Sequence, residues 1–192
     1  NPSDNSFETL NNYKKSCSVD VFFALSHGVH RGKLKLGKED DRIIFLEKLQ
    51  KITSDIKFDL YGMNNVQPIW ADHYFKTISN AKMGLNLSRG NAIKYYSSDR
   101  ITQIVGNGLV CLIDEKTQYR NFFNDKEMVF YKNINDLSEK ILKISKDDNL
   151  RRNIAKRGKD KYMKHFNSMN VAKYIIDKTL DLNINQKYLW QK

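Results

Sequence analysis

The sequence predicts an α/β fold, a Rossmann-like, doubly wound parallel sheet of about five strands with helices trailing at the C-terminus. Three observations predict it. Between Val19 and Tyr131, short apolar runs of strand length alternate with longer segments whose apolar residues recur at helical spacing. The connections between them are mostly short, which implies right-handed crossovers and parallel neighbours. Beyond Tyr131 the patterning is helical only. The 192 residues suffice for one domain with a core, and a 40% hydrophobic content argues against disorder.

The elements follow in order. Residues 1–18 are polar and irregular and read as a lead-in or linker. Val19 to Leu25 is a first strand, and residues 26–38 form a long loop with three glycines. Asp40 to Ile52 is an amphipathic helix with Ile43, Ile44, Leu46 and Leu49 inward, and Asp40-Asp41-Arg42 supplies its cap and complements its dipole. Ile56 to Tyr61 is a second strand closed by Gly62. Ile69 to Asn80 is a helix whose Trp70, Tyr74 and Phe75 read as packing residues. Met83 to Leu87 is a third strand. Ser97 to Asn107 is a helix with Ser97 and Ser98 as candidate caps. Its Ile101, Ile104 and Val105 share one face, while Arg100, Gln103 and Asn107 share the other. Gly108 stops it, and Leu109 to Ile113 is a fourth strand. Lys116 to Phe123 reads as a short helix and Met128 to Tyr131 as a fifth strand. Three helices follow, Asn135 to Lys146, Asn149 to Phe166 and Ser168 to Leu182, placed to cover one flank of the sheet. The expected strand order is 3-2-1-4-5.

The formal charge of +11 raises a nucleic-acid reading. Residues 138–192 hold 14 basic against 6 acidic residues, so most of the excess sits on the C-terminal helices. Lysine supplies 25 of the 33 basic residues, which suits a solvated surface. No stacking surface or RNA-binding signature accompanies the charge, so specific nucleic-acid binding is not expected. Cys17 and Cys111 form neither a redox nor a metal pair, and point to a reducing compartment. No apolar run reaches membrane-spanning length. The chain starts at Asn1-Pro2 without a signal peptide and reads as part of something longer.

Arginine is scarce at eight residues, so its placement is informative. In an open parallel sheet, ligands bind beyond the carboxyl ends of the strands. Arg31 follows the first strand, Arg89 follows the third, and Arg100 opens the helix before the fourth. A guanidinium fork there matches phosphate oxygens, and free N–H groups at a helix start add to the attraction. The loop His27-Gly28-Val29-His30-Arg31-Gly32-Lys33 lets backbone approach a ligand at its glycines and brings charge at Arg31 and Lys33. It has neither P-loop nor dinucleotide-fingerprint spacing. His27 and His30 lack further ligands at metal-site spacing, so His27 reads as a hydrogen-bonding residue and no metal is expected. Tyr95 and Tyr96 lie in a loop opposite the arginines, where one could stack on a base.

These features together resemble the C-terminal half of a GT-B glycosyltransferase, of the broad family-1-like group that includes spore-maturation-type transferases. The resemblance rests on Val21-Phe22-Phe23 through Arg31-Gly32-Lys33, on the Ile56–Gly62 strand ending Leu-Tyr-Gly, and on Met83-Gly84-Leu85-Asn86-Leu87. It continues through Arg100 to Gly108, Asp136-Leu137-Ser138-Glu139-Lys140-Ile141, and Leu150 to Gly158, spanning residues 19 to about 166. It implies that residues 19–192 are a nucleotide-sugar donor domain with a helical tail, with no cofactor beyond the donor substrate. The Arg31–Lys33 loop and Arg100 would face the diphosphate, with Arg89 beside them. Gln103 stands where relatives usually carry the glutamate that holds the ribose, and Tyr95 stands where the other glutamate of an E-x7-E pattern would fall. The implied partners are a nucleotide sugar, an acceptor glycan, lipid or protein, and an N-terminal acceptor domain. The implied location is the cytoplasm, with the basic tail drawing the protein to the inner membrane surface. The alternative is a basic, nucleic-acid-associated α/β binding module.

Overall fold

The computed structural model describes residues 1–26, 40–96, 98–183 and 186–191. The expected site residues His27, Gly28, Arg31 and Lys33, and the candidate cap Ser97, lie outside the described residues.

Five strands form one sheet, β1 (Val19–Ala24), β2 (Phe58–Tyr61), β3 (Ala81–Asn86), β4 (Val110–Asp114) and β5 (Val129–Tyr131). Every neighbouring pair is parallel, with Val21 opposite Phe58 and Met83, Gly84 opposite Cys111, and Leu112 opposite Val129. The order is β2-β1-β3-β4-β5. This corrects the expected 3-2-1-4-5, because β3 lies between β1 and β4 rather than at the edge. The burial explains the difference. All of β3 but Lys82 is buried, as a strand covered on both faces and both sides must be. β2 is half-exposed throughout and carries Asp59, which suits an edge.

The helices divide between two faces. Val21, Phe23 and Leu25 point into one core layer with Leu46 and Leu49 of α1 (Asp41–Ile52) and Leu137, Ile141 and Ile144 of α4 (Ile134–Lys146). Phe22 points the other way, with Ile78 of α2 (Ala71–Ile78) and Ile101, Ile104 and Val105 of α3 (Asp99–Gly106). The period of two along β1 thus feeds two layers. The long helix α5 (Asp148–His165) joins both, giving Ile154 and Ala155 to the first and Tyr162 to the second. The tail helices therefore do not share one flank. On the last helix, α6 (Ser168–Thr179), Asp177 is the buried residue. The segment expected as a helix over Lys116 to Phe123 is two 3₁₀ turns, Glu115–Thr117 and Tyr119–Asn121, broken by Gln118 at φ +57°.

Gly84 sets the distance between α3 and the sheet. A Cβ there would stand 2.5 Å from Ile104 Cγ1, so only hydrogen allows the helix to lie this close. Gly62 ends β2 at φ +76°, where an L side chain would be strained and would also meet the Leu25 carbonyl.

Residues 1–18, expected as a lead-in, are packed into the fold. Ser3 pairs with Asn167 in a single bridge. Asn12 is buried and its amide donates to the Ile78 and Ala81 carbonyls at 2.9 and 2.8 Å. Fully buried Arg151 donates to the Asn12 and Lys15 carbonyls, both at 3.0 Å, and Lys159 donates to the Glu8 and Leu10 carbonyls at 3.1 and 2.8 Å. Part of the basic tail therefore faces inward and satisfies backbone oxygens that burial would otherwise strand.

Candidate functional site at the carboxyl edge of the sheet

With all strands parallel, β1, β3 and β4 end on one edge, and α3 begins there. Three adjoining hollows line this edge. The first, about 420 Å³, lies between the end of β1, the turn before α2 and the start of α3, and is lined by Ser26, Trp70, Phe75, Ser98, Arg100 and Gln103 among others. The second, about 370 Å³, is lined by Arg42, Ser88, Arg89, Tyr96, Ser98 and Arg100 among others. The third, about 680 Å³, extends past α1 to the ends of β4 and β5. Arg100 borders the first two, while Arg42 and Ser88 border the second and third.

Arg100 is held from three sides. Its guanidinium carbon lies 4.8 Å from the Phe23 ring centroid, and Nη1 donates to the Leu87 carbonyl at 3.1 Å and to Ser98 Oγ at 3.3 Å. Among the described residues no carboxylate pairs with it, not even the adjacent Asp99. Burial pushes its pKa down, and the neighbouring charge of Arg42 pushes it the same way. The result is a positioned cation that has lost water and gained no counter-charge. Ser98, expected as a side-chain cap, makes no cap hydrogen bond and turns its hydroxyl to Arg100 instead.

Arg42 was not singled out by the sequence as a site residue. Its Nε and Nη2 donate to both Asp40 oxygens at 2.9 and 2.7 Å, and the pair is buried. The same Asp40 caps α1 by accepting from the Arg42 amide at 3.0 Å. The Arg42 guanidinium holds the Asp40 carboxyl down at about 2. Arg42 thus faces the second hollow with its charge already met. Arg89 is exposed in the loop after β3 and shares that hollow with Arg100. The structure brings these two expected arginines together, and Arg31 lies outside the described residues.

Gln103 lines the first hollow one helical turn after Arg100. Asn107, expected on the same outward face, is instead buried. Its carbonyl group on the side chain accepts from the Leu10 amide at 3.1 Å, and its Nδ2 donates to the Gln103 carbonyl at 2.9 Å, so it ties the helix end to the N-terminal segment. Tyr95, the other residue expected beside a ligand, is held by the 3₁₀ turns. Its backbone N–H donates to the Thr117 carbonyl at 2.8 Å, its hydroxyl accepts from Asn121 at 2.6 Å, and its ring packs 4.9 Å from Phe122. These contacts with the 3₁₀ turns hold it, and the adjacent Tyr96 faces the second hollow instead.

Trp70 was expected in the core. It is 61% exposed and stands at the N-cap of α2, over the first hollow. Ala71 beside it has φ +48°, an uncommon conformation for a residue with a side chain, of the kind that clusters at binding sites. The helical spacing of Trp70 with Tyr74 concealed this, because the helix begins only at Ala71.

Known proteins share this fold. No curated protein matches the chain. S. aureus TarM, solved as a variant with Fondaparinux, alpha-GlcNAc-glycerol and UDP, is similar at 15% identity and a TM-score of 0.58, over 88% of this chain and 36% of that one. An alpha1,3-fucosyltransferase with GDP-fucose has 13% identity and a TM-score of 0.58, over 94% and 51%. The sucrose-phosphate synthase of Thermosynechococcus elongatus has 13% identity and a TM-score of 0.55, over 92% and 48%. The chain spans about a third to a half of the length of these proteins, and the likeness is one of fold, the Rossmann-like parallel sheet of GT-B glycosyltransferase domains. In sequence, residues 42–177 match the family described as glycosyl transferase-like, and that stretch contains α1 but for its first residue, all of α2 to α5 and most of α6. The chain therefore belongs to the glycosyl transferase-like family.

Proposed function

We propose that this chain is the donor-binding domain of a glycosyltransferase and that it holds a nucleoside diphosphate sugar along the carboxyl edge of its sheet. The observation that carries the reading is Arg100, a positioned and partly desolvated cation with no counter-charge among the described residues. A diphosphate beside it would supply that charge, with Arg89 approaching from the neighbouring loop. The nucleoside would occupy the first hollow, its base against the exposed Trp70 and its ribose near Gln103. The UDP bound to TarM and the GDP-fucose of the fucosyltransferase support a ligand of this class.

Chemically, the diphosphate is the leaving group. As the bond from the anomeric carbon breaks, charge builds on the departing phosphate oxygen, and arginines already fixed beside it stabilise that charge without reorganising. Arg31 and Lys33, with His27 and Gly28 in the same loop, belong to this reading as further diphosphate contacts. The acceptor, a glycan, lipid or protein, and the base that activates it fall to a second domain, as in the spore-maturation-type group. The protein works in the cytoplasm, with lysines of the tail drawing it to the inner membrane surface.

Calorimetric titration with UDP and GDP tests this. A charge-assisted contact contributes about 1.5–3 kcal/mol, so Arg100→Ala should weaken binding about ten- to a hundredfold. Gln103→Ala should cost less, since it removes a neutral hydrogen bond. Unchanged affinity in Arg100→Ala would refute the assignment, and Arg31→Ala is the second variant to titrate.

A further inference from the structure

The last helix, α6, turns its polar side inward and its apolar side out. Inward lie Asn170, Tyr174 and Asp177. The Asn170 side-chain amide donates to the Lys164 carbonyl at 2.9 Å, the Tyr174 ring packs against those of Tyr188 and Trp190, and buried Asp177 pairs with Lys173 at 2.8 Å. On the other side, Met169, Val171, Ala172, Ile175 and Ile176 fall within one half of the helix circumference. Met169, Ile175 and Ile176 are each more than half exposed, as are Leu180 and Leu182 just past the helix end. Phe7 is exposed as well, on the segment tied to the start of α6 by the Ser3–Asn167 bridge and by Ser168 donating to Asp4. Single apolar side chains on a surface are ordinary, but a contiguous set on a helix that buries its own acid marks an interaction surface.

The charge around this face selects the partner. Lys173 and Lys178 border it on either side, and Asp177, the one acid of the helix, is buried. Residues 138–192 as a whole hold 14 basic against 6 acidic residues. A second copy of the chain would set this basic border against itself, whereas an anionic surface complements it. Apolar side chains over half of a helix with lysines at the margins suit a helix lying in a membrane interface, where lysine stems cover apolar surface and their ammonium groups reach the headgroups. Among the described residues no helix is long and apolar enough to cross a membrane, so α6 can lie along one and not span it. We infer that α6 is an interfacial anchor, whose outward face enters the boundary between headgroups and acyl chains of an anionic lipid surface while Lys173 and Lys178 meet the lipid phosphates. The inference rests on the proposed attraction of the tail lysines to the inner membrane surface and adds to it a defined, inserted face.

Flotation of the full chain with lipid vesicles tests this. The chain should float with vesicles of equal parts phosphatidylcholine and phosphatidylglycerol and stay in solution with phosphatidylcholine alone. Ile176→Gln combined with Leu180→Gln changes two exposed side chains and should leave the thermal midpoint and the UDP or GDP affinity as they are. It should weaken vesicle binding about ten- to a hundredfold. Lys178→Gln should weaken it about fivefold. Vesicle binding that survives the double substitution overturns the inserted face and leaves attraction by lysines standing, whereas no flotation with either vesicle removes both. A chain that stays in solution and sediments as a dimer, which the double substitution dissociates, gives the face to a second copy. Flotation that is lost in a longer polypeptide carrying the second domain gives the face to that domain. Either of these last two results overturns the anchor.

Discussion

Gly84→Ala adds one methyl group at the point where α3 rests on the sheet. The new carbon would stand 2.5 Å from Ile104 Cγ1, 2.8 Å from Cδ1 and 2.9 Å from Cγ2. Isoleucine is stiff at χ1 and Ile104 is fully buried, so the side chain cannot turn away and the helix must lift. Overpacking of this kind costs about 1–3 kcal/mol. Ile104→Ala removes all three contacted carbons, and alone it should cost about 2–5 kcal/mol through the void it leaves. In the double variant the new methyl occupies part of that void, so the two losses should not add. Urea denaturation of the four proteins of this cycle should give a coupling of at least about 1 kcal/mol. Because α3 carries Arg100 and Gln103, Gly84→Ala should also weaken UDP or GDP binding, and Ile104→Ala should restore part of it. Additive losses, within about 0.5 kcal/mol, would show that the helix does not rest on Gly84 as described.

Arg151→Met should destabilise the protein by about 2–4 kcal/mol, because it strands the Asn12 and Lys15 carbonyls, while Asp148 is half-exposed and keeps Arg152. Hydrogen exchange should rise first at the amides of Leu10 and Asn12, which bond to Asn107, and a loss below about 1 kcal/mol would contradict the clamp. Asp40 has a folded-state pKa of about 2, below the ordinary carboxylate value of about 3.9. Its contribution is complete above that ordinary value and is lost as pH falls towards about 2. Asp40→Asn should therefore lower the urea midpoint at neutral pH and flatten its decline between pH ~4 and pH ~2, and parallel curves for the two proteins would refute this. In Trp190→Phe, the remaining Trp70 should lose fluorescence on binding UDP or GDP if the base lies against it; unchanged emission at saturation would remove Trp70 from the site.

The layers of the fold were legible because each strand is a short, mostly apolar segment and most helices keep their spacing. Strand order was not, since periodicity says which residues are buried and not which strand lies beside which. The burial of β3 on both faces was nevertheless written in Ala81, Met83, Gly84 and Leu85, a run with almost no polar side chain, and could have argued for a central place. The position of Arg100 and Gln103 at the carboxyl edge was legible from a helix start beside a strand end. The burial of Asn107 was not, because the amide that bonds to its side-chain oxygen, that of Leu10, comes from nearly a hundred positions away. The exposure of Trp70 and the packing of Tyr95 were hidden for one reason: a single residue at positive φ, Tyr95 itself and Ala71 beside Trp70, turns the chain where the pattern looks continuous. Arg151 and Lys159 read as solvated charge, since composition cannot tell a lysine in water from one against a carbonyl.

The clamp of α5 on residues 1–18 acts on backbone oxygens, which every amino acid carries. Apart from Asn12, whose own amide bridges Ile78 and Ala81, Asp4, which accepts from Ser168, and Leu10 and Tyr13, which pack on the two core layers, that segment can change its side chains without losing its anchors. Mutational drift should therefore erase its sequence while its path persists. The family match begins only at residue 42 and so leaves out both this segment and β1, although β1 lies between β2 and β3 in the sheet. In distant relatives the physical domain will extend well upstream of the region that sequence comparison recognises, and a truncation drawn at that boundary would remove an interior strand.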